Sequence, residues 1–267
     1  TLGSQTYNGT ATLTGNTTLA GTSLSLASGV DGGKTSGLSL NFSSTTALDG
    51  SFVNLTDLSS EGNVTLNGAI TTSGTQVYNG SATLVGDTSL TGSTGTFAQG
   101  VTGDNHSLTI DFTGGTTAID GGFANIQTLT ALSSVSLNGT IQTNLDQNYA
   151  GPVSLAGSTS LIGNAGSFSS GITGNTKDLM LNFTSTTSLD NVVNVRNLQS
   201  LGNVTVGGGL LTTGTQTYNG TVGLTSDTLL SGTKGFFAQG VTGGGNDLTL
   251  RFSQASVAIS GGFSGIA

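Results

Sequence analysis

The chain has 267 residues, of which only five are Lys or Arg and 13 are Asp or Glu, and its formal net charge is −8. Gly supplies 45 residues, Pro and His one each, and Cys none, which excludes disulfides, thiolate metal sites and His-rich zinc centres. The cations Lys34, Lys177, Arg196, Lys234 and Arg251 stand singly, against nucleic-acid binding, and no apolar run reaches the ~20 residues of a membrane span.

The first element opens at Gln5-Thr6-Tyr7-Asn8-Gly9. Leu26 and Gly29 follow, then Leu38-Ser39-Leu40-Asn41-Phe42, whose strict alternation predicts a strand with Leu, Leu and Phe on one face. Asp49-Gly50 and Asn67-Gly68 predict turns, because these residues accept a positive φ. The pattern then restarts at Gln76-Val77-Tyr78-Asn79-Gly80, again at Gln147-Asn148-Tyr149-Ala150-Gly151, and once more at Gln216-Thr217-Tyr218-Asn219-Gly220. Tyr7, Tyr78, Tyr149 and Tyr218 therefore recur at one nearly constant step.

Other positions keep the same step. Phe42, Phe112, Phe183 and Phe252 form one series, and Leu26, Phe97, Phe168 and Phe237 a second. Phe52, Phe123, Val193 and Phe263 form a third, and Gly29, Gly100, Gly171 and Gly240 a fourth. The chain is thus read as repeat units 5–75, 76–146, 147–215 and a partial 216–267. Both ends cut through the pattern, so an interior piece of a longer chain is expected.

Two architectures accommodate short half-buried strands at this spacing: a string of small antiparallel sandwiches, or a solenoid whose turns stack in parallel. The absence of linkers between units favours the solenoid. The expected fold is all-β, a single continuous right-handed parallel β-helix over residues 1–267. Three strands of roughly eight residues would make one turn, with about three turns per unit and about eleven in all. Equivalent residues should then fall above one another, so that Leu26/Phe97/Phe168/Phe237 and Phe42/Phe112/Phe183/Phe252 form two inward ladders. The scarcity of charge follows from the same stacking. A charge kept at one turn position would face its own copy ~4.8 Å away, at a cost of about 1 kcal/mol even in water.

The segment Leu210-Leu211-Thr212-Thr213-Gly214-Thr215-Gln216-Thr217-Tyr218-Asn219-Gly220, with its counterpart Ile70-Thr71-Thr72-Ser73-Gly74-Thr75-Gln76-Val77-Tyr78-Asn79-Gly80, resembles repeats of filamentous-haemagglutinin-like adhesins. These are large bacterial exoproteins exported by two-partner secretion, some of them biofilm-matrix adhesins. The resemblance implies an extended right-handed β-helix on the surface of a Gram-negative cell, serving attachment or matrix cohesion. The implied partners are extracellular polysaccharide, a host or neighbouring-cell surface, or other copies of the chain. A self-assembling extracellular filament, or a carbohydrate-binding or -cleaving module, are the alternatives.

No catalytic, cofactor-binding or metal-ligating residue is predicted, and a non-enzyme is expected. Asp49, Asp120 and Asp190 recur at the repeat step but read as turn formers several turns apart, too far to act on one bond. His106, the only base available for a Ser-His-Asp triad, lies in the turn Gly103-Asp104-Asn105-His106-Ser107. Gly243-Gly244-Gly245-Asn246-Asp247-Leu248 matches a calcium-binding nonapeptide once, whereas that chemistry shares each ion between consecutive copies. Triplets such as Asn8-Gly9-Thr10, Asn63-Val64-Thr65 and Asn203-Val204-Thr205 follow from composition. An ice-binding face would need a Thr array on every turn, and the outward positions vary.

Overall fold

In the computed structural model, which describes residues 3–254 and 257–267, the alternating segments become strands and no helix occurs among the described residues. Two compact units are present, Thr1–Ser134 and Val135–Ala267. Within each, strands pair in parallel with strands one turn further along the chain, so each unit is a β-solenoid and the sandwich alternative is excluded.

In the first unit one side runs Gln5, Leu24, Thr46, Val64, Ala82, Val101, Phe123, which makes seven layers. A second side runs Ala11, Val30, Phe52, Ile70, Leu90, Ile110, Ala131. The third runs Leu19, Leu40, Ser60, Tyr78, Phe97. The second unit repeats the plan. One side is Val135, Val153, Ile172, Val192, Leu210, Leu230, Leu250. Another is Ile141, Leu161, Leu181, Ser200, Tyr218, Phe237, Ile259. The third begins Tyr149, Phe168, Leu189, Val206, Leu224.

The length of a turn is set by pairs such as Leu55 with Thr72 and Val30 with Phe52. It is shorter than three of the expected strands placed end to end, because a side needs only three to five extended residues, as in Leu24–Leu26 and Leu108–Phe112. The chain accordingly makes more turns than expected. Corners are correspondingly tight. Gly68 has φ +92°, and a Cβ there would sit 2.5 Å from the Gly50 carbonyl oxygen of the preceding turn, so both the dihedral and the close approach require glycine.

The shorter turn corrects the ladder assignment. Leu26 stacks on Leu48, Leu66 and Leu84, three full turns on. Its repeat equivalent Phe97 lies beyond Leu84 in the chain, on a different side, where it stacks on Tyr78. In the second unit Phe168 likewise stacks through Leu189 and Val206 to Leu224. Phe237 again lies on the next side, against Tyr218. Within each unit a repeat therefore takes three turns and about two-thirds of another, and the next copy starts one side round. All members of the two series but one are buried, Leu26, Phe112, Phe168 and Phe237 at 1% exposure, and the exception, Phe252, is half-buried. Neither series forms a single ladder. The Phe52/Phe123/Val193/Phe263 series also shifts: Val192 is fully buried and Val193 is 38% exposed. The bend Asp190-Asn191 is one residue shorter than Asp120-Gly121-Gly122, which turns the next inward position back by one.

The aromatic contacts run between turns of one repeat. Tyr78 stacks on Phe97, Tyr149 on Phe168 and Tyr218 on Phe237, with centroids 5.4, 5.0 and 5.2 Å apart. Each of these Tyr hydroxyls donates to the Gln two residues before it, at 2.9 Å. Burial pushes all three phenols well above their ordinary range.

Candidate functional site

Corner residues of one turn cap the backbone of the next. Asp57 accepts the Thr75 backbone N–H at 2.7 Å and the Thr75 hydroxyl at 2.9 Å. Asp87 accepts the Ser107 N–H at 2.8 Å, Asp227 the Asp247 N–H at 2.9 Å, and Asn16 the Gly37 N–H at 2.8 Å. In the second unit the caps run in series, because Asp178 accepts the Asn197 N–H at 3.2 Å and Asn197 accepts the Thr215 N–H at 2.9 Å. These acids are thereby corner residues, with their carboxylates turned along the stack.

Outward of these corners lie grooves at equivalent places in three repeats. In the first unit a groove of about 210 Å³ is lined by Thr18, Ser39, Asp57 and Ser59, among others. In the second unit the counterpart in the third repeat holds about 360 Å³ over Thr140, Ser160, Asp178, Met180, Asn197 and Gln199. A third, of about 380 Å³, lies over Gly209, Asp227, Leu229, Asp247 and Thr249. Each floor is one outward row in register across turns: Thr140 beside Ser160, Ser160 beside Met180, Met180 beside Gln199.

The charge in the groove of the third repeat is neutralised. The Asp178 carboxylate accepts Arg196 Nε at 2.8 Å and also Arg196 Nη2, and takes Asn197 Nδ2 at 2.9 Å. The Arg196 guanidinium, with help from Asn197, holds this carboxyl below the usual carboxylate range. The Thr75 N–H does the same for Asp57, and the Gly33 N–H and Asn54 amide for Asp31. A depressed folded-state pKa gives stability that is present above the unfolded value of ~3.9 and lost as pH falls through the folded value. Asp178→Asn is therefore expected to unfold at lower denaturant than the unchanged protein at pH 7. The gap should close as the pH falls below about 4; a constant gap in pH-resolved unfolding curves contradicts it.

The residues weighed for chemistry are placed as follows. Asp49 lies within the strand Thr46–Ser60, next to Leu48 on the side of Leu26. Asp120 ends the strand Thr117–Asp120, which lies against Thr94–Phe97, so the two occupy different sides of the first unit. His106 Nδ1 is 3.9 Å from the Asp87 carboxylate, both partly exposed. The neighbouring Ser107 hydroxyl donates to Gln127 at 3.3 Å, so no nucleophile–base hydrogen bond is assembled. Gly243–Asp247 is a corner: Gly244 and Gly245 have φ +61° and +87°, and Asn246 Nδ2 donates to the Gly243 and Leu224 carbonyls. Its counterparts Asp104 and Asn105, and Asn175 and Thr176, turn the same way with positive φ. The resemblance to a nonapeptide is thus accounted for by a shared tight bend. Among the described residues no group of three or more His, Cys, Asp or Glu could hold a metal ion. Thr and Ser do recur outward, as in Ser25–Ala47–Thr65–Thr83–Thr102, but rows such as Thr140–Ser160–Met180–Gln199 break any uniform array.

Comparison with known proteins adds no relative. The chain matches no family model, no curated protein and no solved structure. No helix among the described residues is long and apolar enough to cross a membrane. The groove rows escape sequence reading because their members, far apart in the chain, become neighbours only once turn length is known.

Proposed function

We propose that this chain is a segment of an extracellular adhesive stalk, displayed at the surface of a Gram-negative bacterium and serving attachment or matrix cohesion. The observation that carries the reading is the division of labour between the faces of each strand. Inward positions are mostly Leu, Val, Ile and Phe, with the buried pairs Gln76–Tyr78, Gln147–Tyr149 and Gln216–Tyr218 and a minority of small Thr, Ser and Ala side chains. The outward rows change from turn to turn. A solenoid of this kind provides a stiff layered support along which many weak contacts add to high avidity. The resemblance of the Thr-Gln-Thr-Tyr-Asn-Gly element at 215–220 to adhesin repeats supports the same reading.

Antibody raised against the purified chain tests it. Intact producing cells and their matrix should be labelled, and antibody fragments should lower attachment severalfold. Labelling seen only after cell lysis overturns the extracellular assignment.

A further inference from the structure

The three equivalent grooves differ in what their walls leave unpaired. In the first unit, Ser59 donates its hydroxyl to Ser39 at 3.2 Å, so that floor is internally bonded. In the last repeat, Leu229 and Gly209 leave Thr249 as the row's one hydroxyl, in a groove also lined by Asp227 and Asp247. The groove of the third repeat is different. The Ser160 hydroxyl is shielded from solvent and has no hydrogen-bond partner. Among the described residues, Thr140, which is exposed, and Gln199 make no side-chain hydrogen bond. Gln199 is half-buried, and between it and Ser160 lies the thioether of Met180. Asp178, the groove's one carboxylate, is already engaged by Arg196 and Asn197.

We propose that the groove over Thr140, Ser160, Met180 and Gln199 is a binding subsite for an unbranched neutral hexose oligomer. The amide of Gln199 offers a donor and an acceptor side by side, which matches a vicinal diol, and the exposed Thr140 hydroxyl extends the row. Met180 supplies an apolar contact for the C–H face of a sugar ring. Turns repeat at ~4.8 Å, close to the length of one pyranose residue, so an oligomer lying along the row meets one turn per sugar. An anionic sugar would find no unpaired cation here, in a chain of net charge −8.

The proposal rests on the extracellular reading only for where the ligand is met, and its test is made on purified protein. Glucose, mannose and galactose pentamers are titrated by calorimetry and by backbone amide NMR, with a galacturonate pentamer alongside. A neutral pentamer is expected to bind with Kd of about 1 mM or tighter and to move the signals of Ser160, Met180 and Gln199. Gln199→Ala and Thr140→Val should each weaken binding roughly tenfold, whereas Ser59→Ala, in the internally bonded groove, should leave it unchanged. The proposal is overturned if no neutral pentamer binds, if galacturonate binds equally well, or if Gln199→Ala has no effect. Surface labelling by antibody alongside an empty groove would retire the subsite and leave the stalk reading standing.

Discussion

Replacing Phe112 with alanine is expected to lower stability by about 3–5 kcal/mol, read as a shift in urea midpoint at unchanged slope. The ring is 1% exposed and meets Phe97 edge-on at a centroid distance of 6.5 Å. It also lies flat over Gly95: a Cβ at that glycine would stand 2.2 Å from Phe112 Cε2. Gly95→Ala should accordingly cost about 1–3 kcal/mol by overpacking, although it adds only a methyl group. The same fit recurs where Gly166 lies under Phe183 and Gly235 under Phe252. An unchanged midpoint for Phe112→Ala would remove the inward assignment of that ring.

The second large effect concerns a polar group. Gln216→Ala is expected to cost about 3–5 kcal/mol, comparable to losing a core aromatic, because both a cavity and several unpaired groups result. Gln216 is fully buried. Its Nε2 donates to the Leu210 carbonyl at 2.7 Å and the Ser231 carbonyl at 2.8 Å, and its Oε1 accepts from the Tyr218 hydroxyl at 2.9 Å. The side chain thereby ties one turn to the next from inside a corner, where backbone pairing is interrupted. Tyr218→Phe should cost less, about 1–3 kcal/mol, since it orphans only Oε1. The double variant should lose less than the two singles together. Additive losses in denaturation experiments would show that the pair does not act as one unit.

The sequence shows the repeat, the strands and the inward residues plainly, because period-two alternation and copy number are both local or self-referential signals. Turn length is not among them. Leu26 and Phe97 share a place in the repeat, and only the cross-strand partners Leu84 and Tyr78 reveal that they face different ways. Corners hide for a similar reason. Asp178 caps the backbone N–H of Asn197, a full turn away, and nothing adjacent to it in the chain marks that role. The Gln-x-Tyr element is conspicuous as a pattern. Its function as an interior hydrogen-bonded tie appears only when the carbonyls of Ile70 and Thr91 are seen to converge on Gln76. Val193 is a further case, since a one-residue shorter bend passes its inward place to Val192.

A period that does not close on whole windings has a genetic consequence. A gene that gained or lost one such copy would leave the winding intact but swing every later surface feature through a third of a revolution. Three copies gained or lost together would restore the original bearing. Length variation among descendants of such a gene would therefore reset which flank faces a neighbour, and triplet changes would be the ones that leave presentation untouched.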